Sequence, residues 1–288
     1  MRLSRREAAI TLALAALPCA GCAAAQKFGP PAAAGSSRTP ASGSASASGE
    51  SASPSITSSA SPSSSALPLA GKVVGIDPGH NGGNFTDPGY INQLIWNGRE
   101  QETCDTAGTE TASGYTEALF NFHVASHLRD SLVAAGATVV MTRKTNSGVG
   151  PCVNHRAQII NAAHADVAID IHADGGPSWG RGFSVLEPVA DGPNDKVIRD
   201  SIRFGATVRS ALLASTRMPL SDYYGHDGVV FRNDLAGLNL TTVPKVLVEC
   251  GNMPNPTDAA LLASRSFQRE ISDAFTSAIV SFLTGRQT

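Results

Sequence analysis

The sequence is short of charge, of aromatic rings and of long apolar stretches, and each shortage excludes something. Charged side chains make up 16% of the 288 residues and aromatic ones 6%. Beyond the N-terminus no stretch approaches the ~20 consecutive apolar residues of a membrane-spanning helix, which excludes a multi-pass membrane protein. Positive charge is not in surplus either, since the formal net charge is −2. Residues 1–70 hold five basic and two acidic side chains, so residues 71–288 carry −5 by themselves. That is the wrong sign for a protein that grips nucleic acid by neutralising phosphates, and no nucleic-acid partner is expected. What the sequence does have is 42% hydrophobic residues, enough for a substantial core, which excludes a collagen or a fully disordered chain.

The N-terminus reads as an address. Ser4-Arg5-Arg6 precedes an apolar run from Ala8 to Leu17, followed by Pro18-Cys19-Ala20-Gly21-Cys22. A basic start, a short apolar segment and small residues before a cleavage point describe a signal peptide over residues 1–22, and the paired arginines are twin-arginine-like. Ala20-Gly21-Cys22 also resembles a bacterial lipobox, in which Cys22 would be lipidated and tether the protein to the membrane, although Cys19 stands where Leu is usual. Residues 23–70 collapse to Ala, Ser, Pro and Gly, with 15 serines among the 35 residues from Ser36 to Ala70. Such a segment has almost nothing to bury, so a disordered linker is expected, with the globular part over 71–288. The expected location is the cell envelope, by way of lipidated Cys22 or by secretion to the wall.

Three cysteines remain after the signal. Cys104 and Cys152 lie in loop-like sequence, whereas Cys250 ends a Val-rich strand and reads as a buried free thiol. A Cys104–Cys152 disulfide is therefore expected. No close cysteine pair with His support is present for a structural zinc.

Short, mostly β-branched runs predict strands at Lys72–Asp77, Ala137–Thr142, Val167–Ile171, Gly182–Glu187, Val229–Arg232 and Lys245–Cys250. Helical periodicity predicts helices over 114–135, 154–164, 195–214 and 257–283. This alternation predicts one α/β domain: a twisted, mostly parallel sheet of about six strands with helices on both faces. In such sheets functional groups collect beyond the carboxyl ends of strands.

Three strands end on chemistry. The first runs into Asp77-Pro78-Gly79-His80, the third delivers His172, and the last ends on Glu249, while Glu117 sits in the first turn of the long helix. Two histidines and a carboxylate are the ligand set of a catalytic zinc, and Glu249 is left to take a proton from water. Each residue also has an ordinary explanation: a helix dipole for Glu117, a hydrogen-bonded core position for His172, an ion pair with Arg232 or Lys245 for Glu249. No His-Glu-x-x-His is present, so spacing alone leaves both readings open.

The stretch VVGIDPGHNGG, Val73–Gly83, resembles the strand-and-turn signature of the zinc-dependent N-acetylmuramoyl-L-alanine amidases of the amidase-3 family. Glu117 opening a helix, ADVAIDIHAD at Ala165–Asp174 and PKVLVECGNM at Pro244–Met253 follow in that family's order. Asp234–Asn239 and Gly251-Asn252-Met253 look most like the actinobacterial, mycobacterial-type exported single-domain amidases. The resemblance implies an enzyme that acts on peptidoglycan, with Zn²⁺ on His80, Glu117 and His172 and with Glu249 as general acid/base, and a monomer is the expected state. Two positions depart from the family: Asn81 where a second Gly is usual, and Asp170 where Ser is usual. Asp170 is open between supporting a ligand and a buried ion pair, and Asp77 is a candidate to orient His80 or the turn amides.

Arg232 and Asn252 are candidate substrate contacts, for a stem-peptide carboxylate and for the amide, with a salt bridge and a turn cap as the plainer roles. Arg143 and Arg156 read as framework ion pairs, and His123 and His127 as helix-surface residues. The long segment 90–112, stapled by Cys104–Cys152, is expected to form a hairpin or flap beside the cleft that limits access of bulky glycan. Two rivals remain: a zinc peptidase acting on wall peptides, and a non-catalytic wall-binding lipoprotein.

Overall fold

A computed structural model of the chain describes residues 67–285. The expected signal segment, Cys22 and nearly all of the expected linker lie outside the described residues. The elements are β1 (Val73–Pro78), α1 (Pro88–Ile91), β2 (Leu94–Trp96), β3 (Gln101–Thr103), α2 (Glu117–Ala134), β4 (Thr138–Met141), α3 (Val153–Ala162), β5 (Val167–Asp174), β6 (Ser184–Pro188), α4 (Ile198–Ser215), β7 (Val229–Arg232), α5 (Ala236–Asn239), β8 (Lys245–Asn252), α6 (Pro256–Leu262) and α7 (Arg265–Thr284). No described helix is long and apolar enough to cross a membrane.

All six expected strands form, in one sheet of order β4-β1-β5-β8-β6-β7. The first four are parallel, but β6 pairs antiparallel with β8, and β7 follows β6. The sheet is therefore mixed, and the reversal sets the backbone of one expected site residue at the opposite edge, from which only its long side chain reaches the cleft. Ser184 at the start of β6 pairs with Glu249, whereas Arg232 pairs with Pro188 at the far end of β6. The rule that strand C-termini share one edge does not hold for β7.

Helices cover both faces, unequally. Phe120, Val124, Leu128, Phe204, Val208 and Phe275 of α2, α4 and α7 pack with Ile76, Ile169, Ile171, Val246 and Val248 to form the main core. On the other face Ile160 of α3 meets Ala168, and Leu238 of α5 meets Leu186 and Leu247. Because side chains alternate along a strand, the residues between the core-facing ones point to this thinner layer. Asp77, Asp170, His172, Lys245 and Glu249 are those residues, so the chemistry sits on the lightly covered face.

The expected helix over 257–283 is two helices. Asn255 caps α6 by accepting from the Thr257 and Asp258 amides, with Pro256 in the first turn. The chain then breaks at Ala263-Ser264, and the Gln268 side chain donates to the Leu262 carbonyl at 2.8 Å, satisfying an acceptor that the break leaves free. The core also reaches back beyond the expected boundary at residue 71: Leu69 is fully buried, and its amide donates to Ala135 O at 2.9 Å.

Candidate active site

His80 leaves β1 through a tight turn and has φ of 56°, in the left-handed region that non-glycine residues seldom adopt. The turn is held from several sides. Gly79 N donates to Ile171 O at 3.0 Å, Arg143 donates to the carbonyls of Pro78 and Gly79, and Arg156 to those of Pro78 and His80. His172 projects from β5 next to Glu249 of β8, its direct cross-strand neighbour. Glu117 opens α2 and fills the space between the rings: Oε1 lies 2.8 Å from His172 Nδ1 and 3.3 Å from His80 Nε2. The structure thus brings together His80, Glu117 and His172, with one donor atom from each within 4.8 Å of the others. The two ring centroids are 4.9 Å apart.

The outward nitrogens are also held. His80 Nδ1 meets Asp105 Oδ1 at 2.9 Å, and His172 Nε2 meets Asp170 Oδ1 at 3.3 Å. Orienting the far nitrogen of a ligand imidazole by a carboxylate is how metal sites fix ring and tautomer. Asp105, not Asp77, makes the direct contact with His80, which the sequence reading did not foresee. Asp105 sits in a loop with no periodic pattern, so nothing local marked it. Asp77 instead bonds Arg156, Lys245 and Thr142, and Asp170 does both jobs left open for it, since it also meets Lys245 at 3.4 Å.

The electrostatics suit a cation. Burial works against a charged His80, yet Glu117 and the Asp105 hydrogen bond push its pKa up to about 9. Burial also opposes ionisation of Glu117, but the two imidazoles hold its carboxyl well below the usual range. Asp77, Asp105 and Asp170 against Arg156 and Lys245 leave one negative charge, and Glu117 adds a second. Arg143 offsets one of these, and Glu249, whose pKa is pushed up to about 8, restores it only when ionised. Surplus negative charge around two imidazoles and a carboxylate fits a divalent ion with nitrogen and oxygen ligands.

Glu249 differs from Asp77, Asp105, Asp170 and Glu117 in having no ion pair. Lys245 is taken by Asp77 and Asp170 and Arg232 by Asp234, so neither forms the ion pair that would have made Glu249 ordinary. Its Oε2 is buried without a hydrogen-bond partner. Desolvation pushes its pKa up to about 8. It borders a cavity of about 310 Å³ shared with His80, Glu117, His172, Asp174, Leu235 and Arg232. An adjoining cavity of about 180 Å³ is walled by Glu102, Thr103, Asp105 and Thr106 on one side and by Leu235 and Gly237 on the other.

That wall is the expected hairpin, β2 paired antiparallel with β3. It is anchored at both ends. Glu102 accepts from Ala236 N, Asn97 donates to Asp234 O, and Cys104 is bonded to Cys152. Cys250 is a buried free thiol.

The two candidate substrate contacts fare differently. Arg232 lines the cleft, but its fork is committed to Asp234 at 2.6 and 2.8 Å and to Tyr224 Oη at 2.6 Å. Asn252 is fully buried, and its amide donates to Pro177 and Gly180 carbonyls. It anchors the 177–180 turn and does not face the cleft. Arg143 bonds carbonyls and Asn146 in place of a carboxylate, and burial lowers its pKa to about 9. His123 is half-buried with Nδ1 at 3.0 Å from Tyr115 Oη.

A mixed α/β sheet carrying a His-Glu-His donor set and a buried free carboxylate has the ground plan of a metallohydrolase. A profile of the N-acetylmuramoyl-L-alanine amidases, amidase-3, matches residues 74–281. The N-acetylmuramoyl-L-alanine amidase Rv3717 of Mycobacterium tuberculosis is 39% identical over 222 residues, which cover 75% of this chain and 88% of that protein. The crystal structure of the N-acetylmuramyl-L-alanine amidase Ami1 from Mycobacterium smegmatis matches with a TM-score of 0.71 at 39% identity, covering 76% of this chain and 99% of that one. The amidase AmiC2 of Nostoc punctiforme, 21% identical with a TM-score of 0.56 over 74% of this chain and 97% of its own, shares the fold. The chain belongs to the N-acetylmuramoyl-L-alanine amidase family.

Proposed function

We propose that the chain is an exported peptidoglycan hydrolase that cleaves the amide between the lactyl group of N-acetylmuramic acid and L-Ala of the stem peptide. In this reading His80, Glu117 and His172 hold a zinc ion and Glu249 is the general acid/base. The observation that carries it is the convergence of three donors beside a buried, unpartnered Glu249 oxygen in a chain of this family. Zinc, when bound, supplies Lewis acidity that polarises a carbonyl and acidifies water. Glu249 Oε2 takes the proton of the attacking water and returns it to the leaving nitrogen of L-Ala as the C–N bond breaks. Its raised pKa suits a group that must both accept and release a proton near neutrality. Export rests on the pattern of residues 1–22, with attachment through Cys22 as its membrane-bound form.

Digestion of a defined muropeptide tests the reaction. An intact stem peptide with a new L-Ala amino terminus is the expected product, and a shortened stem still joined to muramic acid would show a wall peptidase instead. Glu249→Gln should keep one zinc per chain and lose ~10²- to 10⁴-fold in turnover. Undiminished turnover in that variant would remove Glu249 from its role, and a wild-type protein without turnover would be the binding-only rival.

A further inference from the structure

Five buried charged groups form one unbroken bridge between the two ligand histidines. His80 Nδ1 is held by Asp105 Oδ1, and Asp105 Oδ2 by Arg156 Nη2 at 3.1 Å. Arg156 Nη1 meets Asp77 Oδ1 at 3.2 Å, and Asp77 Oδ2 meets Lys245 Nζ at 2.8 Å. Lys245 Nζ reaches Asp170 Oδ2 at 3.4 Å, and Asp170 Oδ1 lies 3.3 Å from His172 Nε2 as a charge contact without a hydrogen bond. Each carboxylate spends one oxygen on each neighbour, so none can rotate without breaking a link. Asp77 is the centre of the bridge and the only member that acts on both arms. It touches neither histidine.

Sequence and topology explain why the bridge closes here. Asp77 and Asp170 are direct cross-strand partners on β1 and β5, and like charges so placed repel. Lys245, on the same face of β8, lies between them, and α3 brings Arg156 over Asp77. Buried ion networks of this kind contribute little net stability, and apolar groups of the same volume commonly do as well or better. What this network supplies is a fixed direction for two rings that lie 92 residues apart in the chain.

We propose that Asp77 is a positioning residue for the metal centre: one carboxylate that, through Arg156–Asp105 and Lys245–Asp170, sets the orientation of both ligand imidazoles. The proposal rests on the reading of His80, Glu117 and His172 as metal ligands. Its test is zinc affinity, read by competition with a chromophoric chelator, together with the visible absorption bands of the cobalt-substituted protein. Wild type, Asp77→Asn and His80→Ala are compared. Wild type should bind one zinc and His80→Ala should lose it. Asp77→Asn should still bind one at saturating zinc, with affinity weakened ~10- to 100-fold and with shifted cobalt bands. Asp77→Asn with wild-type affinity and bands overturns the positioning role and leaves the metal site standing. A wild-type chain that binds no zinc overturns both. Should Asp77→Asn not fold, Thr142→Val carries the test, because it removes only the 2.6 Å hydrogen bond to Asp77 Oδ1. A several-fold loss of zinc affinity in that variant supports the role, and unchanged affinity overturns it.

Discussion

Gly79 and Gly108 show how closely single residues are fitted around the ligands. A Cβ at Gly79 would lie 2.2 Å from His172 ring atoms, and one at Gly108, where φ is +75°, would lie 2.7 Å from Glu117 Oε2. Only glycine lets the backbone come so close. Away from the site, Glu187 is a residue whose environment opposes its charge: burial alone pushes its carboxyl from an ordinary 4.5 up to about 7. Because the folded pKa exceeds the unfolded one, the native state holds this proton more tightly. Stability from this group is complete below about pH 4.5 and is lost as pH rises through about 7. Glu187→Gln should therefore gain in melting temperature over wild type between those pH values, with a constant advantage above them. A difference that stays level from pH 4 to 8 would show that the carboxyl is not buried as described. Of the site residues, His80, Glu117, His172 and Glu249 were legible through the motifs that resemble the amidase-3 family, although β5 and β8 run on past His172 and Glu249 to Asp174 and Asn252. Asp105 was not, since its only marks are contacts with residues 25 and 51 positions away.

Elements gain their positions from links that no local pattern announces. The hairpin strands β2 and β3 have three residues each, too short for a period. They are held by Glu102, Asn97 and the disulfide at the entrance to α3. Closing a sequence separation of 48 stabilises by about 4 kcal/mol in the chain-entropy model. The Cys104→Ser/Cys152→Ser protein should unfold in urea with roughly that loss, and an unchanged midpoint would mean that the packing of residues 90–112 already supplies the constraint. The pairing itself was legible by elimination. The break between α6 and α7 was not, because Leu261, Leu262 and Phe267 keep an apolar pattern across it and a serine N-cap looks like any other serine.

At the scale of the whole molecule, the folded part begins earlier than its composition suggests. Leu69 is fully enclosed by the main core although it follows a run of serines and alanines. A chain starting at Gly71 should be about 3 kcal/mol less stable than one starting at Leu67, as for removal of a buried leucine side chain. Equal urea midpoints for the two would show that Leu69 adds nothing. By itself the sequence determined the six strands and the two-sided helical cover, because alternation, periodicity and turn residues report what lies within a pleat or a helical turn. The four residues at the heart of the site were singled out by the resemblance of their motifs to the amidase-3 family, the strand pattern alone leaving them open. Only the tertiary structure decided that β6 and β7 run backwards, that Arg232 is paired and Asn252 buried, and that Asp77 stands between two cations. Those outcomes depend on charges brought together from positions up to 168 residues apart, and burial fixes such partnerships only once the sheet has assembled.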